Sequence, residues 1–208
     1  MRTAAATGTG GRRRLSADQR REQLADATVA VVAGHGYQGT TVDAIATRAG
    51  VSKGLLWHYF ADRDDLLEFT AQRTLVKLRE TVAADIDLAQ PVPQLIRDAI
   101  RRAAGLRATH RAELKAMHEI VLNLRHADGT PRLGLAQYDE TYARQEAIFR
   151  RGQDEGDFRR TLDPRYMAVT YQGAVDTMLD YLDAHPDADA DECAAAVADI
   201  LLDGLRTR

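Results

Sequence analysis

The chemically informative stretch is residues 40–60, TTVDAIATRAGVSKGLLWHYF. If a helix begins after Ser52, its free face carries Lys53, Gly54, Trp57, His58 and Tyr59 with few aliphatic side chains among them. An ammonium, an indole N–H, an imidazole and a phenol can meet phosphate oxygens and the edges of bases. The backbone N–H groups left unpaired at the start of such a helix can receive a phosphate. This is the chemistry of non-covalent polyanion recognition. The bland roles are core positions for Trp57 and, more readily, Phe60, and a merely solvated Lys53.

Catalytic or metal chemistry has little to stand on. There is no GxxxxGK[ST] or GxGxxG phosphate loop and no HExxH, and His118-Glu119 is not a metal pair. His110, His118 and His126 recur every eight residues, a spread of about four helical turns that cannot bring three ligands to one ion without help from elsewhere. Cys193 is the single cysteine, so neither an intrachain disulfide nor a CxxC pair is available, and it lies on an apolar helix face where an inert thiol is the ordinary state. No enzyme, cofactor or metal is expected.

The elements that must position residues 40–60 read as two short helices around a turn. Thr40 or Thr41 caps a helix to about Ala49, Gly50 and Val51 turn, and Ser52 caps the next. Ala46 is small enough for a close helix crossing, Gly50 can reverse the chain, and Val42, Ile45, Val51 and Leu56 fill the wedge between the two helices. Upstream, Ser16 with Gln19 forms a capping box, and Leu24, Ala27, Val31 and Val32 line the first helix until Gly34 and Gly36 stop it. Downstream, Asp62 caps a long fourth helix on which Leu67, Ala71, Leu75, Leu78 and Val82 form a continuous buried stripe.

Beyond Pro91-Val92-Pro93 the helical period continues. A fifth helix carries Leu95, Ala99, Ala103 and Leu106, and His110-Arg111 marks a bend. A sixth carries Leu114, Met117, Val121 and Leu122 and ends before Asp128-Gly129-Thr130-Pro131. The seventh, with Tyr138, Tyr142, Gln145 and Phe149, is closed by Gly152 and Gly156. Asp163-Pro164 opens an eighth with Met167, Tyr171, Ala174, Met178 and Leu182, and a ninth shows Cys193, Val197, Ile200 and Gly204. No segment alternates with the period of a strand. The expected fold is all-α: about nine helices, an N-terminal three-helix helix-turn-helix domain and a larger C-terminal helical domain.

The 208 residues, 45% hydrophobic and 28% charged, describe an ordinary globular chain. No apolar run approaches the roughly 18 residues a bilayer requires, and the N-terminus lacks a secretory apolar stretch, so a cytoplasmic protein away from membranes is expected. The net charge of -3 hides an asymmetry: residues 1–60 hold eight Lys and Arg against four Asp and Glu, and the remainder holds twenty against twenty-seven. A basic head suits a polyanion. Half of that positive charge, Arg2 with Arg12, Arg13 and Arg14, sits in a stretch poor in core residues. Residues 1–15 are therefore expected to be a disordered basic arm, either lying along DNA or simply solvated.

The residues of the head resemble the DNA-binding domain of the tetracycline-repressor (TetR) family over about the first 80 positions. The resemblance runs through Gly36-Tyr37, Thr40-Thr41-Val42, Ile45-Ala46, Ala49 to Gly54, Trp57-His58-Tyr59-Phe60 and Arg63-Asp64-Asp65-Leu66-Leu67. It implies a DNA-binding transcriptional regulator, usually a repressor, that binds a near-palindromic double-stranded DNA operator as a homodimer and is released by a small molecule. The alternatives are an activator, or a helical protein-interaction module without small-molecule control. Carried over by position, the DNA contacts are Thr41, Ser52, Lys53, Gly54, Leu55, Trp57, His58, Tyr59 and Arg63. Tyr59, Thr41 and Arg63 are assigned to the backbone, and Lys53, Gly54 and His58 to bases. The chain departs from the family at Trp57 for tyrosine, Leu55 for a small or hydroxylated residue, Arg63 for lysine and Val32 for phenylalanine.

The domains implied are residues 16–62, extended to about 78 by the start of helix four, for DNA, and 79–208 for ligand and dimerisation. In the second, the resemblance is confined to layout and to Gly156-Asp157-Phe158 and Leu162-Asp163-Pro164. Helices eight and nine carry the small residues Gly173, Ala174, Ala194 and Gly204, which permit close packing, and the resemblance implies that they pair with a second copy as a four-helix bundle. Met117, His118, Leu122, Tyr138, Tyr142, Tyr171, Gln172 and Asp176 are the candidate lining for an effector of unknown class, though tyrosine and methionine at helical spacing are more often plain core. Helix four is the expected lever between the two domains.

Overall fold

Ser16 begins the first helix as the sequence predicts. Its hydroxyl accepts from the Gln19 backbone N–H, and the Gln19 side chain accepts from the Ser16 N–H. The computed structural model describes residues 15–84, 86–134 and 138–207. The expected arm, but for Leu15, lies outside them. Among the described residues there are nine helices: α1 Ala17–Gly39, α2 Val42–Ala49, α3 Lys53–Tyr59, α4 Arg63–Ala83, α5 Val92–Thr109, α6 Arg111–Asn123, α7 Asp139–Glu155, α8 Pro164–Ala184 and α9 Ala190–Leu205. The architecture is all-α.

α1 runs further than the glycines suggested. Gly34 stays helical, and the break falls at Gly36 alone, whose φ of 70° ends the regular helix before one further turn reaches Gly39. Thr41, Ser52 and Asp62 cap α2, α3 and α4, and Asp163 caps α8 with Pro164 at its first position.

Three apolar clusters organise the chain. Leu24, Ala27, Val31, Ile45, Leu56, Phe60 and Leu66 make the core of the head. α5, α7, α8 and α9 make the core of the body around Ile96, Ile100, Phe149, Phe158, Met178 and Leu202. Between them, Val29 and Val32 of α1 and Leu67 and Ala71 of α4 close on Ala116 and Ile120 of α6 and on Leu124 and Leu133. The head therefore does not hang on α4 alone; α6 is packed along α1.

The stripes predicted for three helices require correction. On α4, Leu67, Ala71 and Leu78 are buried, but Leu75 and Val82 are only half-buried because a cavity opens beside them. On α6 the buried face is Ala116 and Ile120, while Leu114, Met117 and Val121 are half-buried and Leu122 is exposed. On α9, Ala194, Ala198 and Leu202 face inward, with Cys193 and Val197 half-buried and Ile200 74% exposed. In each case the true stripe lies beside the predicted one, because the packing partner selects which of two adjacent apolar rows turns in. Gly152 does not close α7 either: it lies inside the helix, where a Cβ would stand 2.5 Å from Phe158 Cδ2 and 3.2 Å from Val92 Cγ1. Gly156, at φ 91°, is the terminator.

Candidate functional site

The head is built to hold α3 outward. Gly50 adopts the left-handed conformation (φ 66°, ψ 36°) and returns its N–H to the end of α2, while Val51 N donates to Ala46 O at 3.0 Å. Leu56 is fully buried and Phe60 is 2% exposed, so Phe60 is core. The opposite face of α3 stays open: Ser52, Lys53, Gly54, Trp57 and His58 are exposed, and Leu55 and Tyr59 are half-buried. Trp57 shows 42% of its surface, so it is not the core residue it could have been.

Each predicted contact has a definite setting. Thr41 Oγ1 accepts from Ala44 N at 3.2 Å and Ser52 Oγ accepts from Leu55 N at 3.2 Å, so both hydroxyl hydrogens remain to donate outward. Lys53 Nζ pairs with Asp43 Oδ1 at 2.6 Å. A Cβ on Gly54 would meet nothing nearer than 4.0 Å, which leaves bare backbone where a partner's backbone can approach. His58 and Tyr59 meet edge to face at 5.1 Å.

Arg63 is placed differently from its expected partner. Its Nε donates to Thr40 O at 3.0 Å and its Nη2 to Tyr37 O at 2.7 Å, with the guanidinium 4.5 Å from the Tyr37 ring centroid. It fastens the end of α1 to the start of α4 and is half-buried in doing so. Arg21, which no sequence motif marks, has its guanidinium 4.6 Å from the Phe60 ring and 4.4 Å from the Phe69 ring and donates to Tyr59 O at 3.2 Å. A lone arginine on a polar helix face gives no sign of such a sandwich.

In the body, α4, α5, α6, α7 and α8 enclose a cavity of about 740 Å³. Met117, His118 and Leu122 line it from α6, and Tyr171, Gln172 and Asp176 from α8; Tyr138, just ahead of α7, completes these. Tyr142 does not reach it: it is 5% exposed in the core, stacked 5.8 Å from Tyr138 and covered by the Arg165 guanidinium at 4.8 Å. Leu75, Leu78 and Val82 add an apolar wall from α4.

The polar corner of the cavity is a chain of side chains. Gln145 Nε2 donates to Gln172 Oε1 at 2.7 Å, and Gln172 Nε2 donates to Asp176 Oδ1 at 2.8 Å. Burial pushes the Asp176 carboxyl above the usual carboxylate range, against the pull of hydrogen bonds from Gln172 and Tyr138. Burial likewise raises the phenols of Tyr138 and Tyr171, with the nearby Asp176 charge acting in the same direction. Arg79 on α4 lines the same corner, its guanidinium 5.3 Å from the Tyr138 ring and held below its ordinary range by burial. Across the mouth, His118 Nδ1 lies 3.1 Å from Asp180 Oδ1, tying α6 to α8.

α6 connects this cavity to the head. One side carries Met117 and His118 into the cavity, the other sets Ala116 and Ile120 against α1. Its Glu119 Oε2 accepts from Tyr37 N at 3.0 Å, at the turn that leads into α2. Arg132, in the segment after α6, reaches Glu68 of α4 at 2.9 Å. No helix among the described residues is long and apolar enough to cross a membrane, and those residues show no grouping of three or more His, Cys, Asp or Glu that could hold a metal ion.

Residues 24–69, the span from the middle of α1 into α4, match the sequence profile "Bacterial regulatory proteins, tetR family". The HTH-type transcriptional regulator BetI of Cronobacter sakazakii is 46% identical over 65 residues, covering 31% of this chain and 32% of that protein. BetI of Paraburkholderia phymatum is 37% identical over 90 residues, covering 34% and 46%. The chain thus matches less than half the length of these relatives. Over nearly its whole length it shares a fold with the fatty acid degradation regulator FadR from Bacillus halodurans (TM-score 0.75, 22% identity, 91% of this chain and 97% of that one). It likewise resembles TylP, a TetR regulator from Streptomyces fradiae (TM-score 0.72, 21% identity, 93% and 89%). Both relatives matched in sequence are HTH-type transcriptional regulators. Over its helix-turn-helix head, residues 24–69, the chain is similar to the tetR family of bacterial regulatory proteins.

Proposed function

We propose that the protein is a ligand-responsive transcriptional regulator that binds a near-palindromic DNA operator as a homodimer and represses until a small molecule releases it. The single observation that carries this reading is the outward face of α3: a lysine, an exposed indole, an imidazole and the capping hydroxyl of Ser52 displayed on a rigidly braced helix. In this reading Thr41, Ser52 and Tyr59 meet phosphates, Lys53, Gly54 and His58 lie nearest bases, and Leu55 and Trp57 complete the contact surface. Arg63 acts mainly by holding α1 against α4. Residues 16–62, with the start of α4 to about 78, form the reading head, and 79–208 the effector and dimerisation body.

Pairing is supported by the outer faces of α8 and α9, where Tyr166, Val169, Tyr181 and Ile200 are exposed beside Gly173 and Gly204, at which an added Cβ would meet nothing. Ala194, expected on that face, packs inward instead. A twofold pair would set the two α3 helices on one side of a duplex, about 34–36 Å apart for successive major grooves.

The coupling we propose runs through α6 as well as α4. A ligand that fits better when α6 is displaced would shift Glu119 and the Ala116–Ile120 face, and with them the end of α1 that sets the angle of α2 and α3. In-vitro selection from random duplexes tests the reading. A twofold-symmetric consensus whose binding weakens steeply with salt is expected, whereas absent or salt-insensitive duplex affinity would indicate a protein-interaction module.

A further inference from the structure

Two features of the cavity remain unexplained by packing. Among the described residues, Arg79 Nε and Nη2 are buried with no hydrogen-bond partner, and so is Gln145 Oε1. All three atoms belong to residues that line the cavity around Tyr138 and Asp176. An arginine is rarely left in this condition, because an unmet buried donor on a charged group is costly, so the corner lacks an acceptor for Arg79 and a donor for Gln145. Asp176, unlike Arg79, is not left without a partner: it accepts from Gln172 at 2.8 Å and from the Tyr138 hydroxyl.

Charge narrows the class. The lining holds Glu80, Glu140, Asp176, Asp180 and Asp183 against only Arg79 and Arg144, an acidic excess that disfavours a carboxylate or phosphate. A quaternary or primary ammonium at the same corner would stand against the Arg79 guanidinium. The remainder of the wall is largely hydrocarbon from α4, α5 and α6, with His118, Thr141 and Gln172 among it, and its volume suits an ordinary small organic molecule.

We infer that the cavity takes an uncharged, largely apolar molecule whose one polar end presents a carbonyl-type oxygen to Arg79 and an adjacent O–H or N–H to Gln145. This names the effector class for the regulator proposed above and rests on that reading only for its biological role.

Titration calorimetry on the full chain without DNA tests it, with three probes that share one chain length: dodecanamide, dodecanoate and dodecyltrimethylammonium. Dodecanamide is expected to bind at least about tenfold tighter than either ion, and Arg79→Met to lose about tenfold for the amide, as removal of a hydrogen bond to a charged donor should. Equal or tighter binding of either ion, or binding of none of the three, overturns the inference. So does an amide affinity unchanged in a folded Arg79→Met. If that variant does not fold, the wild-type ranking and Gln145→Met, expected to weaken the amide alone, decide the matter. Adding dodecanamide to the protein on its selected duplex separates the two readings. Amide binding without release of DNA contradicts the coupling and leaves the cavity chemistry standing; an absence of duplex binding contradicts the regulator alone.

Discussion

Lys53 and Asp43 stand 2.6 Å apart with side chains 55% and 69% exposed, an ion pair worth roughly 0–1 kcal/mol at a surface. A phosphate or base edge can therefore take the lysine from its carboxylate at small cost. Lys53→Ala is predicted to weaken binding to all duplexes and to lower the salt slope by roughly one if the ammonium meets phosphate; an unchanged slope with altered sequence preference would place it on a base. Asp176 carries a second prediction. Because burial raises its carboxyl in the folded chain, the native state holds that proton more readily than the unfolded one. The stability it contributes is fully present below the unfolded value near pH 4 and is lost as pH rises through the raised folded value. Asp176→Asn, which keeps an acceptor for Gln172, is predicted to melt higher than the wild type near pH 7, with the gap closing toward about pH 4; a gap that does not change with pH would contradict this. Residues of this kind were only partly legible. Asp176, Gln172 and Tyr138 stand out in the sequence as polar groups on apolar faces and Gln145 lies on the stripe of the seventh helix, whereas no sequence pattern marks Arg79. Their burial depends on α4, α7 and α8 facing one another around the cavity, which no local pattern records.

At the scale of elements, caps and turns were legible because they are local. Ser16, Thr41, Ser52, Asp62 and Asp163 each accept a backbone N–H two or three residues ahead, and Gly50 and Gly156 take positive φ where the chain must turn. The rotation of α6 and α9 was not, since Leu122 and Ile200 extend apolar rows as plausible in sequence as the rows that turn in. Nor was the packing of α6 along α1, a contact between segments some eighty residues apart. This contact makes α6 the element to test. Glu119→Ala removes the acceptor of Tyr37 N and is predicted to speed hydrogen exchange at that amide and weaken duplex binding, while Glu119→Gln retains both properties. Unchanged exchange and affinity in the alanine variant would remove α6 from the coupling. Gly152→Ala should destabilise the body by about 1–3 kcal/mol in denaturant melts, because its Cβ would press into the Phe158 ring within a packed core.

The proposed pairing would make the whole molecule half of a symmetric reader. Ile200 is 74% exposed and Tyr166 72%, large apolar surfaces on helices whose inner faces are already satisfied. Ile200→Asp is predicted to shift the protein from dimer to monomer in light scattering at micromolar concentration and to weaken operator binding with it; a wild type that is monomeric under those conditions would contradict the pairing. Symmetry of this kind is absent from a single chain's pattern and is implied only by the family resemblance. Methylation interference on the selected duplex tests the central claim most directly. Methyl groups on guanine N7, which project into the major groove, should block binding in two clusters about one helical turn apart and related by the operator's twofold axis. Interference from minor-groove adenine N3 methylation alone, or none in the major groove, would contradict the assignment of α3 as the reading helix.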